Sequence, residues 1–328
     1  MGQSYLGSTE LNKQYLGTTQ INDVELLFTF ISASGGVITT DGDFKIHTFE
    51  TTGSNTFIIY NLSSFDNNFD IVVVGGGGGG CSSNVAGGGG GAGQAIYSQS
   101  LQFTATGNYT VNIGAGGLKN STSIANTTAV TSKRGTKGLP SFFSGSGFNI
   151  KALGGGPGCI IDQFPSSSAQ AIAEEIACGG GAGFGFSGSF SGDYPFVSGS
   201  IGTLFNGGNY IASNFIAGAN QQSGGGGGAS AFNSGSNGTY GLPVPGGAGA
   251  NGVSTTINGF TKVYGGAGGG ARNSAGGTGG GGNSNSRGGD NGTNGQGGGG
   301  GGSLELSFGT PDAGNGGSGT VVIRYRFQ

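Results

Sequence analysis

The chain has 328 residues, of which 82 are glycine, 22 Phe and 10 Tyr, with 12 Lys plus Arg against 15 Asp plus Glu, one His, and a net charge of −3. So few cations, with no basic cluster, exclude a phosphate-neutralising surface, and nucleic acid is not an expected partner. The glycine content excludes an ordinary enzyme composition, whereas the aromatic content excludes a passive flexible linker; collagen is excluded by the lack of a strict Gly-X-Y register and by only 7 prolines.

In chain order, the first element is a ten-residue repeat, 3–12 followed by 13–22, built on Tyr-Leu-Gly-(Ser/Thr)-Thr-x-(Leu/Ile)-Asn. Its short β-prone stretches with a glycine turn suit paired strands that dock onto something larger, with a plain N-terminal arm as the alternative. Tyr5, Leu6, Tyr15 and Leu16 are its candidate contact residues. The opening residues have neither a basic nor an apolar leader region, so no secretory signal is expected, and the apolar stretch 71–74 is too short to insert in a membrane.

A β-rich frame follows. Residues 43–49 and 56–60 alternate as half-buried strands, 70–74 reads as a buried strand running into Gly75, and 95–97 and 109–113 extend the set. At 320–327 the alternation sets Arg324 and Arg326 opposite Ile323 and Tyr325, which assigns the two distant stretches to one frame. His47, the only imidazole, shares a strand face with Lys45 and Phe49 and reads as structural.

Glycine runs at 75–80, 87–91, 224–228 and 297–302 punctuate the middle. A glycine run adopts polyproline-II geometry without internal hydrogen bonds and offers its backbone groups outward to neighbours that approach closely. The expected fold is therefore mainly β with polyglycine-II helices: a strand frame (43–74, 95–113, 320–328) around a glycine-rich helical body with its loops (75–319). One short α-helix is expected at 169–177, capped by Ser168, and its adjacent Glu174 and Glu175 read as a solvated face. The domain division is 1–25 for the repeats and 26–328 for the glycine-rich part.

The stretches between runs are too apolar for passive turns. Phe142, Phe143 and Phe148, and then Phe184, Phe186, Phe190, Tyr194 and Phe196, either fill the sides of the glycine body as core or project from it as a binding surface. Asn206, Asn209 and Tyr210, and Asn237 and Tyr240, sit in more polar loops suited to stacking on a sugar ring and hydrogen-bonding around it. Cys81, Cys159 and Cys178 all lie at run ends, leaving a Cys159–Cys178 disulfide or buried thiols open. Without a CxxC pair no metal or other cofactor is expected, and no phosphate loop or paired-carboxylate groove is legible, so the chain is not expected to be an enzyme.

The passages 42–49, 71–80 and 316–325 together resemble the glycine-rich domain common in bacteriophage tail fibre and other virion proteins, and the N-terminal repeats resemble the starts of phage virion proteins. Some fibre-tip adhesins are similar in presenting receptor-binding loops on a polyglycine-II sandwich. The resemblance implies a virion localisation, attachment to a host cell-surface glycan or outer-membrane protein, partnership with other virion or fibre subunits, and homotrimeric assembly; Tyr5, Leu6, Tyr15 and Leu16 are the candidates for mounting on the particle, and the loop residues above, none of which matches an adhesin motif, are those for host contact. A structural decoration or fibre subunit with its aromatics buried between copies is the alternative.

Overall fold

The computed structural model describes residues 29–82, 87–120, 135–158, 246–271, 273–285, 288–303 and 312–328, together with the backbone of 15–16, 19–20, 83, 159–161, 182–184 and 304. Among the described residues eighteen strands follow in chain order: β1 Tyr15–Leu16, β2 Thr19–Gln20, β3 Ser32–Ser34, β4 Val37–Asp41, β5 Phe44–Phe49, β6 Gly53–Asn61, β7 Asn68–Val74, β8 Ser82–Ser83 and β9 Ala95–Gln102. The rest are β10 Gly107–Ile113, β11 Ser141–Gly145, β12 Phe148–Ala152, β13 Cys159–Ile161, β14 Ala182–Phe184, β15 Val253–Thr255, β16 Lys262–Tyr264, β17 Ser303–Leu304 and β18 Thr320–Arg326. The second N-terminal repeat folds on itself as the antiparallel pair β1–β2.

Two five-stranded antiparallel sheets, in the orders β12-β11-β10-β6-β3 and β4-β5-β18-β7-β9, face one another. Alternation along each strand turns one set of side chains inward. Phe57, Tyr109, Val111 and Phe143 of the first sheet meet Phe49, Phe69, Ile71, Val73, Ile323 and Tyr325 of the second in one buried cluster. Phe57 is its hub, with ring centroids 5.0 Å from His47, 5.9 Å from Phe103 and 6.2 Å from Tyr109. The other face of the second sheet is covered by the β15–β16 hairpin, through Ile257, Tyr264 and Val253 against Ile46, Val72, Val74 and Val322. Strand β18 pairs with β5 on one side and β7 on the other, which unites the two distant stretches of the frame, and Arg324 and Arg326 lie on the face opposite Ile323 and Tyr325.

The described residues correct the expected fold class. They contain no helix, so the protein is mainly β, and the stretch expected as an α-helix, 169–177, lies outside them. The runs 75–80 and 87–91 continue the sandwich strands β7 and β9 rather than forming helices enclosed by a frame, and 224–228 lies outside the described residues. Strands β7, β10 and β12 run out into 75–81, 114–120 and 153–158, while 87–94, 135–140 and 314–319 run into β9, β11 and β18. Each segment takes its direction from the strand to which it is joined, and its donors then go to neighbours. Gly75, Gly76 and Gly77 donate to the carbonyls of Gln94, Leu139 and Gly317, and Gly78, Gly79 and Gly80 donate to the same three segments again, at Gly91, Thr136 and Gly314. The carbonyls of Gly76, Gly77 and Gly78 accept from Gly155, Gly117 and Gly300, three further segments. Every N–H along this buried run, and the carbonyls of Gly76 to Gly79, are thereby satisfied without a side chain.

At the end of the body remote from the sandwich, a buried polar knot joins four segments. Ser82 N–H donates to Asn120 Oδ1 at 2.7 Å, Asn120 Nδ2 donates back to Ser82 O, Ser303 and Ser82 share a hydroxyl bond of 2.9 Å, and Ala313 N–H donates to Ser82 Oγ. Lys119 and Asp312 pair beside it. The described residues flanking 84–86, 121–134 and 305–311 all lie at this end, as does the entry to β13 through Gly158.

His47 is wholly buried, its Nδ1–H donating to Gly35 O at 2.7 Å and its Nε2 accepting from the Tyr325 hydroxyl at 3.0 Å. Burial lowers its pKa below the ordinary 6.5, Lys45 adding to the shift and the Gly35 bond opposing it. Protons therefore bind the unfolded chain first as the pH falls, so this contribution to stability is complete above about pH 6.5 and is lost on descending through the folded value. The thermal midpoint of the native protein should drop between pH 7 and pH 5 more steeply than that of His47→Gln; parallel profiles would show that His47 is not the group responsible.

Candidate functional site

Among the residues singled out from sequence, Phe143 requires correction as a receptor contact: it has no exposed surface and stacks on Tyr109 at 5.4 Å inside the sandwich. Phe148 is half-buried and meets Phe69 edge-on at 5.3 Å. Phe142, also half-buried, points to the other side of β11, in register with Asn112 and Lys151. The three are thus not brought to one surface. Tyr15, Leu16 and Phe184 are placed by backbone alone, in β1 and β14. Tyr5, Leu6, Phe186, Phe190, Tyr194, Phe196, Asn206, Asn209, Tyr210, Asn237 and Tyr240 lie outside the described residues, as does Cys178. Cys81 is a buried thiol whose Sγ faces the Ser82 carbonyl at 3.8 Å.

The structure brings together a different set. An open groove of about 1120 Å³ runs between the β4–β5 edge of the second sheet, the β15–β16 hairpin and the flank of the glycine body at 115–118, 291–294 and 315–318. Its apolar points are Val37, Leu118 and Phe260, with 69%, 63% and 63% of their surface exposed, which marks them as available rather than as core. Thr39, Thr48, Thr51 and Thr52 supply hydroxyls along the sheet side.

Of the five asparagines lining the groove, Asn55 spends its Nδ2 on the Thr51 and Gly53 carbonyls, and the other four have their amide oxygens fixed. Asn291 Oδ1 accepts from Asn315 N–H at 2.8 Å, Asn294 Oδ1 from Ser318 N–H at 3.0 Å, and Asn315 Oδ1 from Lys119 N–H at 2.9 Å. The three-residue steps from 291 to 294 and from 315 to 318 match the repeat of the adjacent backbone bonds, Gly292 N–H to Asn315 O and Gly295 N–H to Ser318 O. Asn258 Oδ1 accepts from the Tyr264 hydroxyl at 2.7 Å. Burial, with the charge of Glu50 adding to it, raises the Tyr264 pKa far above its ordinary value, so the hydroxyl stays protonated and donates. In each case the amide oxygen is used and Nδ2 remains a donor without a partner among the described residues. The charges nearly cancel: Glu50 and Lys262 pair at 3.4 Å, and Lys262 also lies over the Tyr264 ring. No group of three metal-binding side chains occurs among the described residues.

A family model for the glycine-rich domain matches residues 51–326. The chain belongs to the glycine-rich domain family. The match runs from β6 to the last residue of β18 and so takes in most of both sheets and the whole glycine body. A comparison with curated proteins finds no match for this glycine-rich domain protein. Its groove escaped sequence reading because the lining comes from stretches far apart, Glu50 and Lys262 being 212 residues distant. The usable signal was the spacing of Asn291 and Asn294 within glycine-rich sequence.

Proposed function

We propose that this glycine-rich domain protein is a non-enzymatic virion component of tail-fibre or adhesin type, held to the particle by its N-terminal repeats and attaching it to a host-surface glycan or outer-membrane protein. One observation carries the reading: a rigid body fixed by backbone bonds gathers the flanks of its connecting stretches at the end remote from the sandwich, next to the Ser82–Asn120 knot. A scaffold whose interior excludes side chains confines sequence variation to such connections, which suits a surface that must change its target without refolding. The body would serve as a homo-oligomer, a trimer by analogy with the fibres it resembles.

Adsorption competition tests this. Host cells pre-incubated with the purified protein should lose virus adsorption saturably, and the inhibition should vanish when 206–210 or 237–241 is replaced by Gly-Ser. Folded protein that neither binds cells nor competes would reject the attachment role. A structural subunit is the second reading, favoured by the edge strand β4, where Val37 and Ile38 are exposed on a strand paired on one side only.

A further inference from the structure

We propose that the groove beside β4 is a binding site for a neutral oligosaccharide, independent of the virion reading. Three features select that class. The fixed Nδ2 donors of Asn258, Asn291, Asn294 and Asn315 ask for a ligand rich in hydroxyl, ring-oxygen or amide-carbonyl acceptors. Because each oxygen is already committed to a backbone or tyrosine donor, the amides are held before the ligand arrives, and little side-chain entropy remains to be lost on binding. Phe260 at the hairpin tip, 63% exposed, offers the apolar face of a sugar ring a flat contact of low flexibility.

Charge and size narrow the choice further. The single lining cation among the described residues, Lys262, is neutralised by Glu50, so a sulfated or phosphorylated chain gains nothing here. A volume of about 1120 Å³ exceeds the roughly 300–1,000 Å³ of small-molecule pockets, and the groove is open along its side, which fits several linked sugars rather than one.

The test is an array of neutral oligosaccharides of four to six units, chitopentaose, maltopentaose and cellopentaose among them, with a sulfated heparin-type pentasaccharide as comparison, followed by calorimetry on the strongest binder. The expected result is saturable binding of a neutral member that weakens about tenfold in Phe260→Ala. The paired substitution Asn291→Asp with Asn294→Asp keeps both oxygen acceptors for the Asn315 and Ser318 N–H groups while removing two donors, so it should preserve the melting temperature and weaken binding to a similar degree. The proposal is overturned if the folded protein binds no neutral oligosaccharide, if the sulfated chain is preferred, or if Phe260→Ala and the Asn pair bind as the native protein does. These outcomes are distinct from loss of adsorption competition, which is read on virus and cells with 206–210 or 237–241 replaced.

Discussion

Replacing Gly77 with alanine is expected to destabilise the protein by about 3 kcal/mol or more, the upper end of what overpacking a close-packed interior costs. Gly77 donates to Gly317 O at 2.9 Å, its carbonyl accepts from Gly117 at 2.8 Å, and an added Cβ would sit under 3.0 Å from the Gly298 carbonyl. All three neighbours are backbone, and each is bonded to further segments, so none can retreat without breaking bonds of its own. The same holds along the run: a Cβ on Gly75 or Gly78 would strike 153–156, one on Gly76 or Gly79 would strike 115–118, and one on Gly77 or Gly80 would strike 298–301. Gly288→Ala is the matched control. There the nearest atom to an added Cβ is Asp312 O at 3.5 Å, ordinary contact, and the change should stay below about 1 kcal/mol. Denaturant midpoints of the two variants decide the matter: equal values would mean that the segments around Gly77 separate easily, against the packing described.

The second large effect is expected at Phe57→Ala, a loss of about 3–5 kcal/mol. The ring is fully buried and touches aromatic groups from both sheets, including His47, Phe49, Phe103, Tyr109 and Phe143. Those neighbours sit on strands held in register, so they cannot collapse into the space, and the cavity term adds to the lost transfer energy. Phe57→Leu, which refills most of the volume, should recover much of the loss. Similar midpoints for the alanine and leucine variants would show that the hub relaxes freely.

Much of the frame was legible because alternation is a local signal. The strands at 43–49 and 56–60 follow it, as does the outward placement of Arg324 and Arg326 opposite Ile323 and Tyr325, whereas 70–74 was legible as an unbroken apolar run. Pairing was not legible, since nothing in Thr320–Arg326 states that its neighbours are β5 and β7. The hairpin β11–β12 did leave a trace, in Gly145-Ser146-Gly147, whose positive φ angles form its turn, and in the alternation from Phe148 to Ala152. Phe143 is settled as core only by the packing of β11, whose inward side carries Ser141 and Phe143. The helical expectation for the glycine runs failed because a run has no side-chain pattern from which its path can be read; the strands to which it is joined set that path. The groove was hidden for the reason that makes it a site: Glu50, Asn258, Asn291 and Asn315 converge only when the sheet, hairpin and glycine body are assembled.

The central place of β18 sets the timing of folding. Tyr325 reaches His47 across 278 residues, and Thr320 Oγ1 donates to the Phe49 carbonyl across 271. Until β18 is synthesised, β5 and β7 have no strand between them, and the buried faces of both sheets stand open on the ribosome. Topology of such high contact order folds slowly, with unpaired strand edges exposed meanwhile. Yield during expression should therefore respond to chaperone supply and to temperature far more than the finished protein's resistance to unfolding would suggest.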